Sequence, residues 1–363
     1  MRASDAPPLR PSEVFEALRK DVVGQDSALR DVSVAVVKHL LGHPAGNILL
    51  IGNSGSGKTT LIKAVERFLA SRPELRGFST TVRINANVLA EAHQTPATAV
   101  LGRLYERARS EIGAGARHEE VVRRVEHGIV FIDEVDKIRA HVGSSPNVRG
   151  IVAQEALLTL IENENVAFTA EGRSAAANSS SILFIAAGAF EELYESVFKR
   201  ATIGADVMPL RPIVVVSKTG EVREETPFNL RDYLKHDDLF RYGMAPQFIS
   251  RFESIIVLDD LGEAELASIF IDPDDSVFRT SRDYFRQFGL DLQITRGALL
   301  AIAWDASRQK RLGARALGEV YRRVVGALEF EPASANKSEG TVTIDEEMIR
   351  SAIADRQSGA RVK

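Results

Sequence analysis

Two stretches of the 363-residue chain carry residue types that triphosphate chemistry requires. Gly52-Asn53-Ser54-Gly55-Ser56-Gly57-Lys58-Thr59 has the spacing G-x-x-x-x-G-K-[ST]. Glycines there let successive backbone N–H groups curl round phosphate oxygens, and a helix starting at the loop adds its positive dipole end. Lys58 is the candidate for the β and γ oxygens, and the Thr59 hydroxyl is a candidate Mg²⁺ ligand. Asn53, Ser54, Gly55, Ser56, Gly57, Lys58, Thr59 and Thr60 form the candidate loop set for ATP. Further on, the apolar run Gly128 to Ile132 ends in Asp133-Glu134. A buried strand ending in two carboxylates places both at the edge where α/β sheets bind ligands. Asp133 suits the Mg²⁺ shell, and Glu134 suits orienting and polarising an attacking water. The neighbouring Asp136-Lys137 reads as a local surface pair.

These groups need a sheet behind them. Asn47 to Ile51, Thr81 to Asn85, Gly128 to Ile132, Ser181 to Ile185 and Ser254 to Leu258 are short apolar or branched runs. Helix-length segments separate the first four. That alternation predicts an α/β fold with a parallel sheet covered on both faces. Two helices are expected between Ser12 and Leu41, broken at Val23-Gly24-Gln25. After Asp259 the pattern turns mainly helical, with Leu312 to Phe330 as one long amphipathic helix. A small sheet is expected from Leu290 to Ile294 and Thr341 to Ile344. The predicted organisation is a flexible flank over 1–11, a large α/β domain over 12–258 and a small C-terminal domain over 259–363.

Composition removes several classes. There is no cysteine, which excludes disulfide scaffolds, thiolate metal sites and thiol nucleophiles. The net charge of −4 offers no global basic field for nucleic acid. The apolar run from Ile182 to Phe190 is far shorter than the roughly 18 residues a membrane span needs, and the polar, proline-bearing start has no apolar signal core. A cytoplasmic location without membrane attachment is the expectation. His39 and His43 lie four apart but lack further ligands for a metal.

Taken together, Asp21-Val22-Val23-Gly24-Gln25, the glycine-rich loop, FIDEVDKI, Gln154-Glu155-Ala156-Leu157-Leu158, ILFIAAGAF, GMAPQFISR and Gly313-Ala314-Arg315 resemble the AAA+ ATPases. Within them the chain is similar to the ClpX-type protein unfoldases, with HslU as a neighbour, over roughly Pro11 to Ala354. The resemblance implies an AAA+ P-loop NTPase fold with a small sensor-bearing domain. It also implies that Val22, Val23 and Gln25 pack on the adenine. Arg251 would be the arginine finger offered to the adjacent subunit's ATP, and Arg315 the second sensor. Planar guanidinium forks suit phosphate oxygens, and a finger in trans requires a homo-oligomer, in this family a hexamer.

The chain departs from the family where substrate and partner are held. A Gly-Tyr-Val-Gly pore loop corresponds here to Glu91-Ala92-His93-Gln94-Thr95-Pro96, without an aromatic. A basic Arg-Lys-His loop is reduced to Gly172-Arg173-Ser174. The Ile-Gly-Phe loop that anchors a ClpP-type peptidase becomes Ile203-Gly204-Ala205, and losing such an aromatic anchor costs about 2 kcal/mol per subunit. Pro212 to Val216 and Glu221 to Arg223 flank Lys218-Thr219-Gly220, predicting a self-paired hairpin. At the first-sensor position Ala186-Ala187-Gly188 offers no polar side chain. ClpX's N-terminal zinc module has no cysteines to form from.

The expected function is an ATP-driven protein remodeller, working as a ring on a narrow set of clients. Two alternatives remain at this level. One is a nucleotide-gated scaffold without threading activity, favoured by the blunted pore loop. The other is a nucleic-acid motor, disfavoured by charge.

Overall fold

The continuous apolar runs of the sequence become the middle strands of a parallel sheet. In the computed structural model the described residues are 9–75, 80–90, 95–113, 115–143, 145–162, 165–203, 213–216, 222–225, 228–309, 311–332 and 340–357. Helices α1 (Pro11–Arg19) and α2 (Asp26–Leu40) lead into β1 (Asn47–Ile51), followed by α3 (Lys58–Ala70) and β2 (Thr81–Asn85). Then come α4 (Arg103–Ile112), α5 (His118–Glu126) and β3 (Ile129–Asp133). A two-residue ladder, β4 (His141–Val142) and β5 (Ser145–Pro146), precedes α6 (Val148–Glu162). The hairpin β6 (Val166–Ala170) and β7 (Arg173–Ala177) leads to β8 (Leu183–Gly188) and α7 (Glu191–Ile203). The hairpin β9 (Ile213–Val216) and β10 (Val222–Glu225) follows, then α8 (Leu230–Tyr233), α9 (His236–Tyr242), α10 (Pro246–Ile249) and β11 (Phe252–Val257).

The sheet order is β11-β1-β8-β3-β2, with every neighbouring pair parallel. Every residue of β8 is buried, as are the last four of β1 and the first four of β3. Strands buried on both faces lose the alternation of apolar and polar residues, which is why these runs read as continuous. In β6, by contrast, Val166, Phe168 and Ala170 are buried while Ala167 and Thr169 are not. That one-sided strand was not foreseen. Its partner β7 is rich in alanine, a weak strand former, and the pair is closed by Glu171-Gly172, both with positive φ (51° and 73°). Two such residues match the turn that follows strand twist. The β9–β10 pair runs antiparallel from Ile213↔Glu225 to Val216↔Val222, as expected of a self-paired hairpin. Its predicted turn, Lys218 to Gly220, lies outside the described residues.

By packing, the chain divides into a unit of Met1–Leu18, Ser27–Gly52 and Leu61–Leu258, and a second of Arg19–Asp26, Asn53–Thr60 and Asp259–Lys363. The second unit contains α11 (Glu263–Ile271), α12 (Val277–Arg286), β12 (Asp291–Ile294), α13 (Arg296–Ser307), α14 (Leu317–Phe330), β13 (Thr341–Ile344) and α15 (Glu346–Gln357). β12 and β13 pair in parallel. Phe270 packs edge-on against Tyr321, with ring centroids 4.9 Å apart, in the core of this unit. Helix α12 was not foreseen; Ser276 caps it by accepting from the Arg279 N–H at 3.2 Å. The predicted helix from Leu312 instead begins with a 3₁₀ turn at Gly313–Ala316.

Candidate functional site

The glycine-rich loop leaves β1 at Gly52, whose N–H donates to the Gly188 carbonyl of β8 at 3.3 Å. Asn53 to Gly57 then curl into the start of α3, and Lys58, Thr59 and Thr60 occupy its first turn. Gly55 (φ 72°) needs a left-handed backbone, and a Cβ there would lie 2.2 Å from the Leu312 carbonyl oxygen. The Lys58 ammonium crosses the loop to the Asn53 carbonyl at 2.9 Å. Ser56 is buried, yet among the described residues its hydroxyl has no hydrogen-bond partner. A buried hydroxyl without a partner is costly, and an anion with several acceptor oxygens would satisfy it. The donor set and the glycine-lined loop therefore fit a nucleotide's phosphates.

Within the same unit the loop is braced from three directions. The Gln25 amide nitrogen donates to the Ser56 carbonyl at 3.1 Å and the Asp259 carbonyl at 2.9 Å, while its oxygen accepts from the Asp259 N–H at 2.9 Å. Gln25, one of the residues expected to pack on adenine, is buried, and its amide supports the loop through the backbone. Val22 is also buried and approaches Gly57; Val23 is half-buried. The Asn53 side chain donates to Asp260 at 2.8 Å. From the Gly313–Ala316 turn, Arg315 donates to the Ser54 hydroxyl at 2.6 Å, and the Ala314 N–H donates to the Gly55 carbonyl at 3.1 Å. The structure thus places Arg315 against the loop.

The carboxylates belong to the first unit. Asp133 closes β3, level with Asn85 at the end of β2. Glu134 follows in a left-handed conformation (φ 58°, ψ 36°), a backbone state costing a non-glycine residue about 1–2 kcal/mol. Its N–H donates to Asp133 at 2.9 Å, and its carboxylate accepts from the Asn85 side chain at 2.7 Å. Sequence reasoning missed Asn85; its place at the end of the predicted strand Thr81 to Asn85 was the available signal. Asp136 is a correction: it pairs with Lys137 at 3.4 Å, but it is buried and its carboxylate also accepts from the Ala189 N–H at 3.1 Å. It pins the end of β8 and is not a surface residue.

Arg251 stands elsewhere. It precedes β11, and Phe252 pairs with Asn47, the first residue of β1. The Asn47 side chain donates to the Arg251 carbonyl at 3.0 Å. Asp133 and Gly52 leave the opposite edge of the same parallel sheet, and a five-residue strand such as β1 spans about 16 Å. Of the departures, Glu91 to Gln94, Gly204 and Ala205 lie outside the described residues. Gly172-Arg173 forms part of the tight β6–β7 connection, where Glu171 pairs with Arg109 at 3.0 Å.

A family model described as AAA domain (Cdc48 subfamily) matches residues 43–255. The chain is also 30% identical over 364 residues to the ATP-dependent Clp protease ATP-binding subunit ClpX of Azotobacter vinelandii, covering 92% of this chain and 77% of that one.

The chain belongs to the ClpX-type AAA+ ATPases.

The subunit of the same name from Treponema denticola is 29% identical over 93% of this chain and 81% of its own length. That from Bacteroides thetaiotaomicron is 28% identical over 93% and 80%. The expectations of an AAA+ fold, an ATPase and ATP-dependent unfolding of the ClpX type hold, and the class is one of ring-like oligomers. Among the described residues no helix is long and apolar enough to cross a membrane, and no group of three or more His, Asp or Glu side chains forms a metal cluster.

Proposed function

We propose that the protein hydrolyses MgATP as a six-membered cytoplasmic ring and uses the energy to remodel a narrow set of protein clients. The observation that carries the reading is the placement of Arg251 on the sheet edge opposite Asp133. A finger there serves a neighbouring subunit, so the active unit is an oligomer. In this reading Asn53 to Thr60 hold the phosphates, Lys58 neutralises their charge and Arg315 closes on the nucleotide. Val22 and Val23 face the base, and Gln25 keeps the loop in shape. Thr59 and Asp133 would each offer an oxygen to Mg²⁺, which would supply charge stabilisation to the phosphates. Glu134 orients and polarises the water.

The narrow client range rests on side-chain chemistry. Bulky aromatics grip any chain by non-directional packing, whereas Gln94 and Thr95 offer hydrogen bonds worth about 1 kcal/mol each. Ala205 gives a ClpP-type peptidase no ring to seat, and no nucleic acid is required.

The test pairs Glu134→Gln with Lys58→Ala. The first should retain ATP and lose turnover by about a hundredfold or more, and the second should lose ATP binding. Unchanged turnover in Glu134→Gln would remove the assignment of the water-orienting residue. Degradation of a generic tagged substrate with a ClpP-type peptidase should be absent, and should move toward generic unfolding once Gln94→Tyr and Ala205→Phe are combined. Robust degradation by the unaltered protein would overturn the narrow-client reading.

A further inference from the structure

Gln154, in the middle of α6, is buried and uses both ends of its amide on backbone. Its nitrogen donates to the Ile138 carbonyl at 2.8 Å and to the Gly243 carbonyl at 3.1 Å. Its oxygen accepts from the Ala245 N–H at 2.7 Å. These partners belong to two functional turns. Ile138 ends the buried 3₁₀ turn Val135–Ile138 that follows Glu134 directly. Ala245 is the N-cap of α10, six residues before Arg251.

Both turns are stiff enough to transmit a displacement. On the Glu134 side, Val135, Asp136 and Ile138 are buried. The helix can approach because position 150 is glycine: a Cβ there would lie 2.2 Å from the Arg139 carbonyl oxygen. On the Arg251 side, Pro246 fixes the first turn of α10. Phe248 and Ile249 are buried, and Phe248 packs edge-on against Phe252 at 5.1 Å. A backbone bond from Ala140 N–H to the Gly243 carbonyl at 2.7 Å also joins the segments. It stops at Gly243, whose φ of 111° makes a bend before α10. The Gln154 amide spans that bend.

We infer that Gln154 is a positioning residue that couples the turn bearing a subunit's own Glu134 to the turn bearing the Arg251 it offers to its neighbour. One side chain then ties the state of a subunit's carboxylate to the finger it presents, without touching nucleotide itself. This rests on Arg251 acting across a subunit boundary.

Mixed rings test it. Lys58→Ala subunits contribute only their Arg251, and Arg251→Ala subunits contribute only a complete nucleotide site, so mixing them should restore hydrolysis. Gln154→Met is then placed in the Lys58→Ala subunit, whose own site no longer contributes hydrolysis. Restored hydrolysis should fall by about tenfold while co-assembly, followed by size-exclusion chromatography, persists. Ala245→Pro breaks the bond on the finger side alone, replacing the N–H with a ring carbon that the Gln154 oxygen must move away from, at a φ of −64° that suits a proline ring. In the Lys58→Ala subunit it should give a similar loss, and adding Gln154→Met should deepen that loss by no more than about twofold. In the Arg251→Ala subunit Ala245→Pro should leave restored hydrolysis within about twofold. Should Gln154→Met fail to assemble, this contrast between the two subunit placements of Ala245→Pro decides the matter. If the parental mixture does not hydrolyse ATP, the trans role of Arg251 falls and the coupling with it. If the parental mixture works and finger donation survives Gln154→Met or Ala245→Pro undiminished, the coupling alone is overturned.

Discussion

The side-chain amide of Asn85 donates to the Glu134 carboxylate at 2.7 Å, joining the ends of two neighbouring strands. Glu134 stands on left-handed backbone and is exposed, so its side-chain direction is set by this bond more than by packing. Asn87 adds a longer contact to the same oxygen at 3.5 Å. Removing the amide should leave nucleotide binding intact and misdirect the carboxylate. Turnover of Asn85→Ala should fall by about tenfold with ATP affinity within about twofold. Asn85→Asp, which opposes two carboxylates, should fall further. Steady-state hydrolysis with a separate binding titration checks both, and equal turnover in all three proteins would deny Asn85 a part in orienting Glu134.

Gly55 is the tightest point of the phosphate loop, with both a left-handed backbone and a carbonyl where a Cβ would sit. Gly55→Ala must therefore distort the loop or displace the Leu312 to Arg315 segment. The backbone alone costs about 1–2 kcal/mol, so affinity for a fluorescent ATP analogue should fall by about tenfold or more. The far-UV circular dichroism should stay unchanged, since the strain is local. Affinity within a factor of about two would show that the loop tolerates the side chain.

His39 supplies a pH-dependent term in stability. Its ring is buried on α2 and donates from Nε2 to the His127 carbonyl at 3.0 Å. Burial lowers its pKa to about 4, an effect partly offset by that hydrogen bond. The unfolded chain therefore binds a proton that the folded one refuses. The stabilisation is complete above the unfolded pKa and is lost as pH falls toward the folded value, amounting to about 3 kcal/mol between roughly pH 6.5 and pH 4. His39→Gln can keep the donor to the His127 carbonyl without titrating. Urea unfolding of the two proteins should diverge over that window, the wild type losing more on acidification. Parallel pH profiles would remove His39 from the acid response.

The chemistry that is local in sequence was legible in the sequence. Gly52 to Thr59 and Asp133-Glu134 each consist of neighbouring residues, so their spacing alone marks them as candidates. The sheet was legible for a related reason: strands such as β1 and β8, buried on both faces, must be apolar throughout. Tertiary structure decided which polar side chains hold those groups in place. Asn85 meets Glu134 across 49 residues of chain, Gln154 meets Ala245 across 91, and Gln25 meets Asp259 across 234. An amide can bond equally well to any exposed backbone or to water, so its residue type says nothing about its partner. Only burial, which removes water as a competitor and leaves a few groups within reach, makes that choice.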